Sequence, residues 1–102
     1  MAYTTYPYNS YIVRKFDDIS VDFPAGGVAV ADVCMIGVLA GGAEAVEVEV
    51  SFSSKEDIVN GEAEWISYES LPAGDGTFIS FDPAPNGIRL TGGAGTTAWI
   101  KG

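Results

Sequence analysis

Hydrophobic and polar residues alternate most regularly in the stretch AVEVEVSFS, at residues 45–53. Successive side chains of a β-strand point to opposite faces of the sheet, so a period of two is typical of a strand with one buried and one wet face. The stretch therefore predicts a half-buried strand in an antiparallel sheet. The residues on its hydrophobic side are predicted to form a core with Trp65, Ile79 and Ile88; they are Val46, Val48, Val50 and Phe52.

Other short hydrophobic segments, bounded by Gly, Pro or Asn, predict further strands. The longest, 28–39, is hydrophobic at both odd and even positions. This pattern is typical either of one strand covered on both faces or of two short strands bent near Asp32. We interpret Gly37 within it as a bulge or a point of close contact. The predicted strands are 11–16, 19–23, 28–39, 46–53, 64–69, 77–82, 88–91 and 97–101.

The sequence SKEDIVNG is the candidate for a single helical turn. Ser54 is suited to cap such a turn, Glu56 and Asp57 would lie in its first turn, and the Asn-Gly pair would end it. The same residues fit an acidic loop equally well. We therefore expect a helix content near zero.

The regular spacing of strands and turn signals predicts an all-β fold. The chain has 102 residues, which is enough for one two-layer domain. About seven to eight short strands with a turn between each are typical of an antiparallel β-sandwich or jelly roll. We predict that residues 11–102 form this single domain and that residues 1–10 form an extended N-terminal arm.

The predicted arm is rich in tyrosine around Pro7. Tyrosine buries a large area at a small entropic cost and keeps a polar tip, so it is concentrated at protein contacts. The rings either cover the sheet of their own domain or contact a neighbouring protein, and both alternatives stay open here. The candidate protein-interaction residues are Tyr3, Tyr6, Tyr8 and Tyr11.

The formal charge of −9, from 14 acidic and 5 basic side chains, narrows the class of partner. Nucleic acids and anionic membranes attract basic surfaces, so we expect neither as a partner. An acidic surface suits a basic patch on a partner protein instead. The N-terminal sequence lacks a signal-peptide pattern, and no hydrophobic run is long enough for a transmembrane helix, so we expect synthesis in a cytoplasm.

The inventory of reactive side chains does not favour an enzyme. The chain has no His, which removes Ser-His and Cys-His catalysis and the usual zinc sites. Cys34 lies in a hydrophobic segment and is predicted to be a buried, unreactive thiol. Glu47 and Glu49 share the polar side of their strand, where we expect solvated carboxylates rather than a catalytic pair.

The acidic loop from Glu56 to Glu64 is the candidate metal site, because its oxygen donors are the ligands that Ca²⁺ prefers. The spacing does not match an EF-hand, and acidic loops are usually solvated. We therefore expect no cofactor. The donors in question are Glu56, Asp57, Asn60, Glu62 and Glu64.

Between Val46 and Lys101 the features follow a recognisable order. An alternating strand ends in FSS. It is followed by a strand with Trp65, the turn LPAGDG, the segment TFISFDPAP, the strand IRL and a final strand after TGGAGT. This order resembles small β-sandwich proteins of tailed bacteriophage virions, and it is similar to that of discoidin-like and carbohydrate-binding sandwiches. The resemblance implies that Arg89 faces away from its hydrophobic neighbours and pairs with a carboxylate on the sheet surface. The segment KEDIVNGEAE departs from the pattern and looks inserted.

The resemblance to virion proteins implies a non-enzymatic structural protein, made in the host cytoplasm and located in the virion. We expect a capsid decoration or cement protein that binds the outer surface of the major capsid protein and bridges its subunits. A homo-oligomer, such as a trimer, fits this expectation. The alternatives are a phage neck or tail component, and a carbohydrate-binding module in which Trp65, Tyr68 and Trp99 stack on sugars.

Overall fold

The computed structural model of the chain consists of one five-stranded and one four-stranded antiparallel β-sheet, which face each other across a hydrophobic core. It describes residues 3–8, 11–39, 44–72, 76–92 and 94–102, without the side chains of Tyr3, Tyr8 and Tyr11.

Strands make up most of the described chain, and two short helices lie between them. The helices are α1 (Ile19–Asp22) and α2 (Lys55–Val59). The strands are β1 (Tyr3–Tyr8), β2 (Tyr11–Phe16), β3 (Val28–Ala29), β4 (Cys34–Leu39), β5 (Val46–Ser51), β6 (Ile66–Leu71), β7 (Gly76–Phe81), β8 (Gly87–Gly92) and β9 (Thr97–Lys101).

The sheet topology confirms the predicted all-β sandwich. The five-stranded sheet has the order β1-β2-β9-β4-β7, and the four-stranded sheet has the order β3-β8-β5-β6. The described residues form nine strands rather than seven or eight. The number differs because segment 28–39 contains two strands, residues 3–8 form a strand of their own, and segment 19–23 forms none.

The core is a layer of hydrophobic side chains between the two sheets. The five-stranded sheet contributes Phe16, Ile36 and Ile100, and the four-stranded sheet contributes Val48 and Ile88, all of them fully buried. Burial of a side chain of this size stabilises the fold by about 1.5–3 kcal/mol relative to its exposure. The predicted core positions of Ile79 and Ile88 are confirmed, with Ile79 partly buried at the margin.

Strand β5 confirms the predicted alternation over its length, since its three valines are buried and Glu47 is exposed. The predicted core position of Phe52 is wrong, because this side chain is 70% exposed. The strand ends at Ser51, whose hydroxyl accepts a hydrogen bond from the Ser53 N–H at 3.2 Å. The chain turns at this point, so Phe52 no longer follows the alternation of the sheet.

Residues 19–22 form the helical turn α1 instead of the predicted strand. The Asp18 carboxylate accepts hydrogen bonds from the backbone N–H and the hydroxyl of Ser20, which caps the turn. Ile19 and Phe23 are buried, and Val21 is exposed. Residues four apart share a side in a strand and in a helix alike, so the hydrophobic pattern of this segment fits both, and the cap favours the helix.

Segment 28–39 forms two strands, which was the second alternative. Strand β3 pairs with β8 in the four-stranded sheet, whereas β4 lies between β9 and β7 in the other sheet. The chain therefore passes from one sheet to the other near Asp32. The interpretation of Gly37 as a bulge is wrong, because this residue pairs in regular register with Phe78 on one side and Trp99 on the other.

Residues 55–59 form helix α2, which is the first of the two alternatives for this segment, and the helix packs on the outer face of the four-stranded sheet. The Ser54 hydroxyl accepts a hydrogen bond from the Asp57 N–H at 3.1 Å and caps the helix. Ile58 is buried although it lies outside the main core, because its side chain covers Gly87 at the start of β8. Ser51, which pairs with Gly87, is buried at the same place.

Trp65 lies on this outer face and not in the core, so the prediction of a core position is wrong. Glycines make room for its ring: a Cβ at Gly27 would be 2.3 Å from the ring, and one at Gly87 would be 3.2 Å from it. Together with Ile58, the indole covers the end of the four-stranded sheet where β3 and β8 pair.

The N-terminal segment belongs to the five-stranded sheet. Strand β1 pairs with β2 over its whole length, from Tyr3 opposite Phe16 to Tyr8 opposite Tyr11. Residues 3–8 are thus the edge strand of the sheet rather than an arm separate from it. The other residues of the predicted arm, 1, 2, 9 and 10, lie outside the described residues.

We expect Gly27→Ala to destabilise the protein and Gly37→Ala to leave it at least as stable. At Gly27 the left-handed backbone (φ +79) and the overlap with Trp65 together cost about 2–4 kcal/mol. A Cβ at Gly37 would meet Trp99 at 3.8 Å, an ordinary contact, and it reduces the entropy of the unfolded chain. Thermal unfolding should show a fall in Tm of about 10 °C or more for Gly27→Ala alone. Equal midpoints for both variants would contradict the packing of Trp65 on Gly27.

Candidate functional site

The outer faces of the two sheets differ. Helix α2 and Trp65 cover part of the four-stranded sheet, and its β5 strand carries Glu47 and Glu49 on that side. No described element packs on the outer face of the five-stranded sheet. This face, called the outer face below, is the candidate site.

Two rows of cross-strand neighbours build the outer face. Residues directly opposite each other in antiparallel strands point to the same side of the sheet. The inner side is defined by buried residues such as Ile36 and Ile100, so the alternate positions face outward. One outward row consists of Tyr6, Val13, Lys101, Met35 and Ser80. The next consists of Thr4, Lys15, Trp99, Gly37 and Phe78.

A shallow hydrophobic groove of about 430 Å³ runs across these rows. Gly37 lies between Trp99 and Phe78, and because it has no side chain the face is open between these two rings. Val13 is buried although it faces away from the main core, which places it in the floor of the groove. The groove is lined by Tyr6, Val13, Met35, Ile36, Gly37, Phe78, Trp99 and Lys101.

Large hydrophobic side chains of this face are exposed to solvent. Phe78 is 69% exposed and Leu39 is 58% exposed. In an antiparallel sheet with one wet face, polar side chains normally occupy these positions. The side of the sheet that points to solvent therefore exposes large hydrophobic side chains on β4 and on the edge strand β7.

The outer face also differs from the rest of the molecule in charge. None of the strands β1, β2, β4, β7 and β9 contains an Asp or a Glu, although the chain has 14 acidic residues. Lys15 and Lys101 point outward from the same strands. The Lys15 ammonium group lies 5.8 Å from the centre of the Trp99 ring and 3.5 Å from the Asp17 carboxylate. The strands of this face thus carry lysines and no carboxylate of their own, while Asp17, which follows β2, pairs with Lys15.

Of the four tyrosines predicted to contact a partner, Tyr6 has a described side chain, which is exposed and lines the groove. In the backbone register Tyr8 pairs with Tyr11, and Tyr3 pairs with Phe16. The side chains of Tyr3, Tyr8 and Tyr11 lie outside the described residues. Their contact with a partner stays a prediction.

The sequence analysis did not identify Met35, Leu39 and Phe78 as members of a site. A signal for them exists in the sequence, because segments 28–39 and 97–101 are hydrophobic at both odd and even positions. The pattern was compatible with burial on both faces. Only the sheet order shows that one of those faces is uncovered.

A second hydrophobic surface, called the edge patch, consists of Phe52, Ile66 and Tyr68. It lies at strand β6, the edge of the four-stranded sheet, where a register shift interrupts the pairing with β5. Tyr68 contacts Phe81 of the other sheet edge-on, with ring centres 5.2 Å apart. Pro83 and Pro85 complete the hollow beside Phe52.

The aromatic side chains considered for sugar stacking do not form one platform. Trp99 lies on the outer face of the five-stranded sheet, and Trp65 lies on the outer face of the four-stranded sheet. Tyr68 is at the edge between the sheets. The two indole rings are therefore on opposite sides of the sandwich.

Arg89 makes the ion pair that the sequence predicts for it. Its guanidinium group donates two hydrogen bonds to the Glu49 carboxylate, at 3.0 and 2.7 Å. The same group lies 4.8 Å from the centre of the Trp65 ring. Because Arg89 and Glu49 are cross-strand neighbours of β8 and β5, the pair and the indole hold the outer side of this sheet together.

Cys34 is fully buried at the start of β4, as predicted. Burial raises the pKa of the thiol to about 11, and the positive charge of Arg14 acts weakly in the opposite direction. Arg14 itself donates hydrogen bonds to the carbonyl oxygens of Ala29 and Gly102. The thiol is thus neutral and inaccessible.

The acidic residues of the described chain do not converge on a metal site. No group of three or more His, Cys, Asp or Glu side chains in the described ranges is arranged to hold a metal ion. In the candidate calcium loop, Glu56 and Asp57 lie in the exposed first turn of α2. Among the described helices, none has the length and hydrophobicity needed to cross a membrane.

Comparison with protein-family models and with curated proteins finds no match to the chain.

We expect Arg89→Lys to lower the free energy of unfolding by about 1–2 kcal/mol. Lysine keeps the charge, but it cannot donate two parallel hydrogen bonds to Glu49 or lie flat on Trp65. Urea unfolding measures the change. Lys55→Arg, on the exposed side of α2, is the control and should change the free energy of unfolding by less than about 0.5 kcal/mol. Equal effects of the two variants would show that the Arg89–Glu49 pair makes no specific contribution to stability.

We expect the Cys34 thiol to be unreactive in the folded protein. Iodoacetamide at pH 8 should modify the protein only after it is unfolded. The pKa of the folded state, about 11, lies above the unfolded value of 9.0, so the contribution of the neutral thiol to stability is complete below pH 9. It is lost as the pH rises from 9 through 11. In that range the Tm of the native protein should fall more than that of Cys34→Ala; parallel curves would contradict this linkage.

Proposed function

We propose that the protein is a non-enzymatic structural protein that works by binding other protein surfaces through the outer face. Its proposed setting is the virion of a tailed bacteriophage, where it acts as a capsid decoration protein on the outer surface of the major capsid protein. The observation that carries the proposal is the uncovered hydrophobic side of the five-stranded sheet.

The exposure of Phe78 and Leu39 supports a binding role for this side. Contiguous hydrophobic patches on soluble proteins mark sites of interaction, whereas single exposed hydrophobic residues need no explanation. Here the exposed residues share a sheet face with Tyr6 and Trp99, so they form one surface. The same molecule covers part of its other sheet with α2 and Trp65, which shows that a covered outer face is compatible with this fold.

The chemistry of the outer face indicates how binding would work. Removal of hydrophobic area from water contributes about 25 cal/mol per Å², from which the cost of ordering the partners is subtracted. Trp99 and Tyr6 are of the residue types that carry much of the energy in protein interfaces.

The order of features between Val46 and Lys101 supports the virion setting. A neck or tail component would use the same surface and is the alternative within the virion. The carbohydrate-binding alternative has less support, because Trp65 and Trp99 lie on opposite sides of the sandwich.

The test is cosedimentation with shells assembled from the major capsid protein encoded in the same genome. The native protein should bind the shells. The double variant Leu39→Ser/Phe78→Ser should bind with a Kd at least about tenfold higher, because it removes the most exposed large hydrophobic side chains of the face.

The matched control is Val21→Ser/Val59→Ser, which removes two hydrophobic side chains that are 77% and 78% exposed and lie away from the outer face. This control should bind like the native protein. Loss of binding in both double variants, or in neither, would contradict a role of the outer face. Failure of the native protein to bind shells, with binding to neck or tail proteins instead, would replace decoration by the alternative.

A further inference from the structure

The two described sheets end in four edge strands, and three of these carry features that hinder pairing with another strand. Natural proteins protect the free N–H and C=O groups of such edges with proline, charged side chains, register shifts or short length. Strand β1 contains Pro7, which has no N–H to donate. Strand β3 has two residues, and Trp65 and Ile58 cover its end of the sheet. Strand β6 carries Glu69 and has a register shift in its pairing with β5.

Strand β7 is the fourth edge strand, and it has none of these features. Its six residues, GTFISF, include no proline and no charged side chain. They pair with β4 in continuous register from Gly76 to Phe81, and no described strand pairs with the other edge of β7. Phe78 is exposed, and Ile79 is partly buried at the margin of the core. A regular, uncharged and hydrophobic edge of this kind is a template for pairing with a further strand.

We propose that β7 pairs with β7 of a second copy in antiparallel orientation, so that the protein forms a dimer with one continuous sheet across both copies. This inference does not depend on the proposed function, because the pairing uses the edge of the five-stranded sheet and leaves the outer face free. A second copy fits this edge because two identical strands in antiparallel orientation are complementary: the N–H and C=O groups of each meet those of the other.

The geometry of such a pair places both outer faces on the same side. Antiparallel strands of two identical copies are related by a two-fold axis perpendicular to the sheet, and rotation about this axis does not exchange the two sides of the sheet. Phe78 of each copy therefore points to the same side as Trp99 and Met35 of both copies. The two five-stranded sheets become one sheet of ten strands, which is within the range of natural sheets.

The charges of the molecule are compatible with this contact. Each copy has a formal charge of −9, so two copies repel each other, but β7 itself contains no charged side chain. Asp82 follows β7 directly. When two antiparallel strands overlap around Phe78 and Ile79, their Asp82 residues lie at opposite ends of the pair, about 20 Å apart at about 3.3 Å per residue. This separation exceeds the Debye length at physiological ionic strength, so these two carboxylates hardly interact.

The same features limit the assembly to two copies. In a two-fold dimer the β7 edge of each copy is occupied by the other copy. The remaining edges carry Pro7, the cover of Trp65 and Ile58, and Glu69, so they do not extend the sheet further. A dimer with two outer faces on one side also binds a repetitive partner surface more tightly than a monomer, because the second contact is intramolecular.

The test variant is Thr77→Lys, which changes the edge of β7 and leaves the outer face as it is. Thr77 pairs with the buried Val38, so its side chain points to the inner side of the sheet, where it is half-buried at the margin. In a monomer a lysine at this position reaches solvent past the free edge, whereas a second β7 strand would cover it. The matched control is Ser67→Lys, a similar change at an exposed position of the protected edge strand β6. The Tm of each variant checks the folded state.

Sedimentation velocity over a range of concentrations measures self-association. The native protein and Ser67→Lys should form dimers and no larger species, and Thr77→Lys should dimerise at least about tenfold more weakly. Leu39→Ser removes an exposed side chain of the outer face that lies outside β7, and it should dimerise like the native protein. A larger effect of Leu39→Ser than of Thr77→Lys would show that the outer faces form the contact, which would overturn the proposal.

Amide hydrogen exchange tests the pairing without a substitution. In a strand that is paired on one side, alternate amide groups are free to exchange, and pairing on both sides protects them all. At concentrations where the native protein is dimeric, the amides of residues 77–80 should all be protected, and dilution to the monomer should restore exchange at alternate positions. Exchange in β6 should be the same at both concentrations.

Several results would overturn the proposal. They are a native protein that stays monomeric at all concentrations, equal dimerisation of Thr77→Lys and the native protein, equal weakening by Thr77→Lys and Ser67→Lys, and exchange of the β7 amides in the dimer as fast as in the monomer. A monomeric native protein that still binds capsid shells would refute the pairing of β7 and leave the proposed function intact. A dimer that binds no virion protein would do the reverse.

Discussion

The contact between the valine side of β5 and the inner side of the five-stranded sheet is the constraint on which the rest of the structure depends. Val48 of β5 and Ile88 of β8 are fully buried against Ile36 and Ile100 of the opposite sheet. Because successive residues of a strand alternate in direction, this contact also decides which residues point to the outside. The ion pair of Arg89, the carboxylates of β5 and the groove at Gly37 all follow from it.

The fold leaves the molecule with two unequal outer sides. On the four-stranded sheet, glycines at the β3–β8 end make room for Trp65 and Ile58, so that the chain covers part of its own sheet. On the five-stranded sheet, Gly37 also makes room between large side chains, but the described chain places nothing there. Glycines thus lie beneath hydrophobic side chains on both sheets. On the four-stranded sheet the space is filled by Trp65 of the same chain, and on the five-stranded sheet it forms a groove.

The Cys34 thiol is buried and the described acidic residues are dispersed, whereas exposed hydrophobic residues cluster in two surfaces. Burial raises the pKa of Cys34 and keeps the thiol neutral, and the described acidic residues do not converge. In contrast, the outer face and the edge patch each bring together residues that are distant in sequence, such as Tyr6 with Phe78 and Phe52 with Tyr68.

The sequence by itself determined the antiparallel sandwich and most of its strands, and it marked Ser54 as suited to cap a helical turn, because these depend on local alternation, turn residues and capping chemistry. It did not determine that Ile19 lies in a helical turn, since one short hydrophobic pattern fits two periods. Nor did it place Phe52 and Trp65 outside the core. The position of Phe52 depends on where β5 ends, and that of Trp65 depends on glycines that are distant in sequence. The outer face was decided by tertiary structure alone. Segments that are hydrophobic at both odd and even positions show that both sides of a strand are hydrophobic. Only the arrangement of the sheets shows on which side no described element packs.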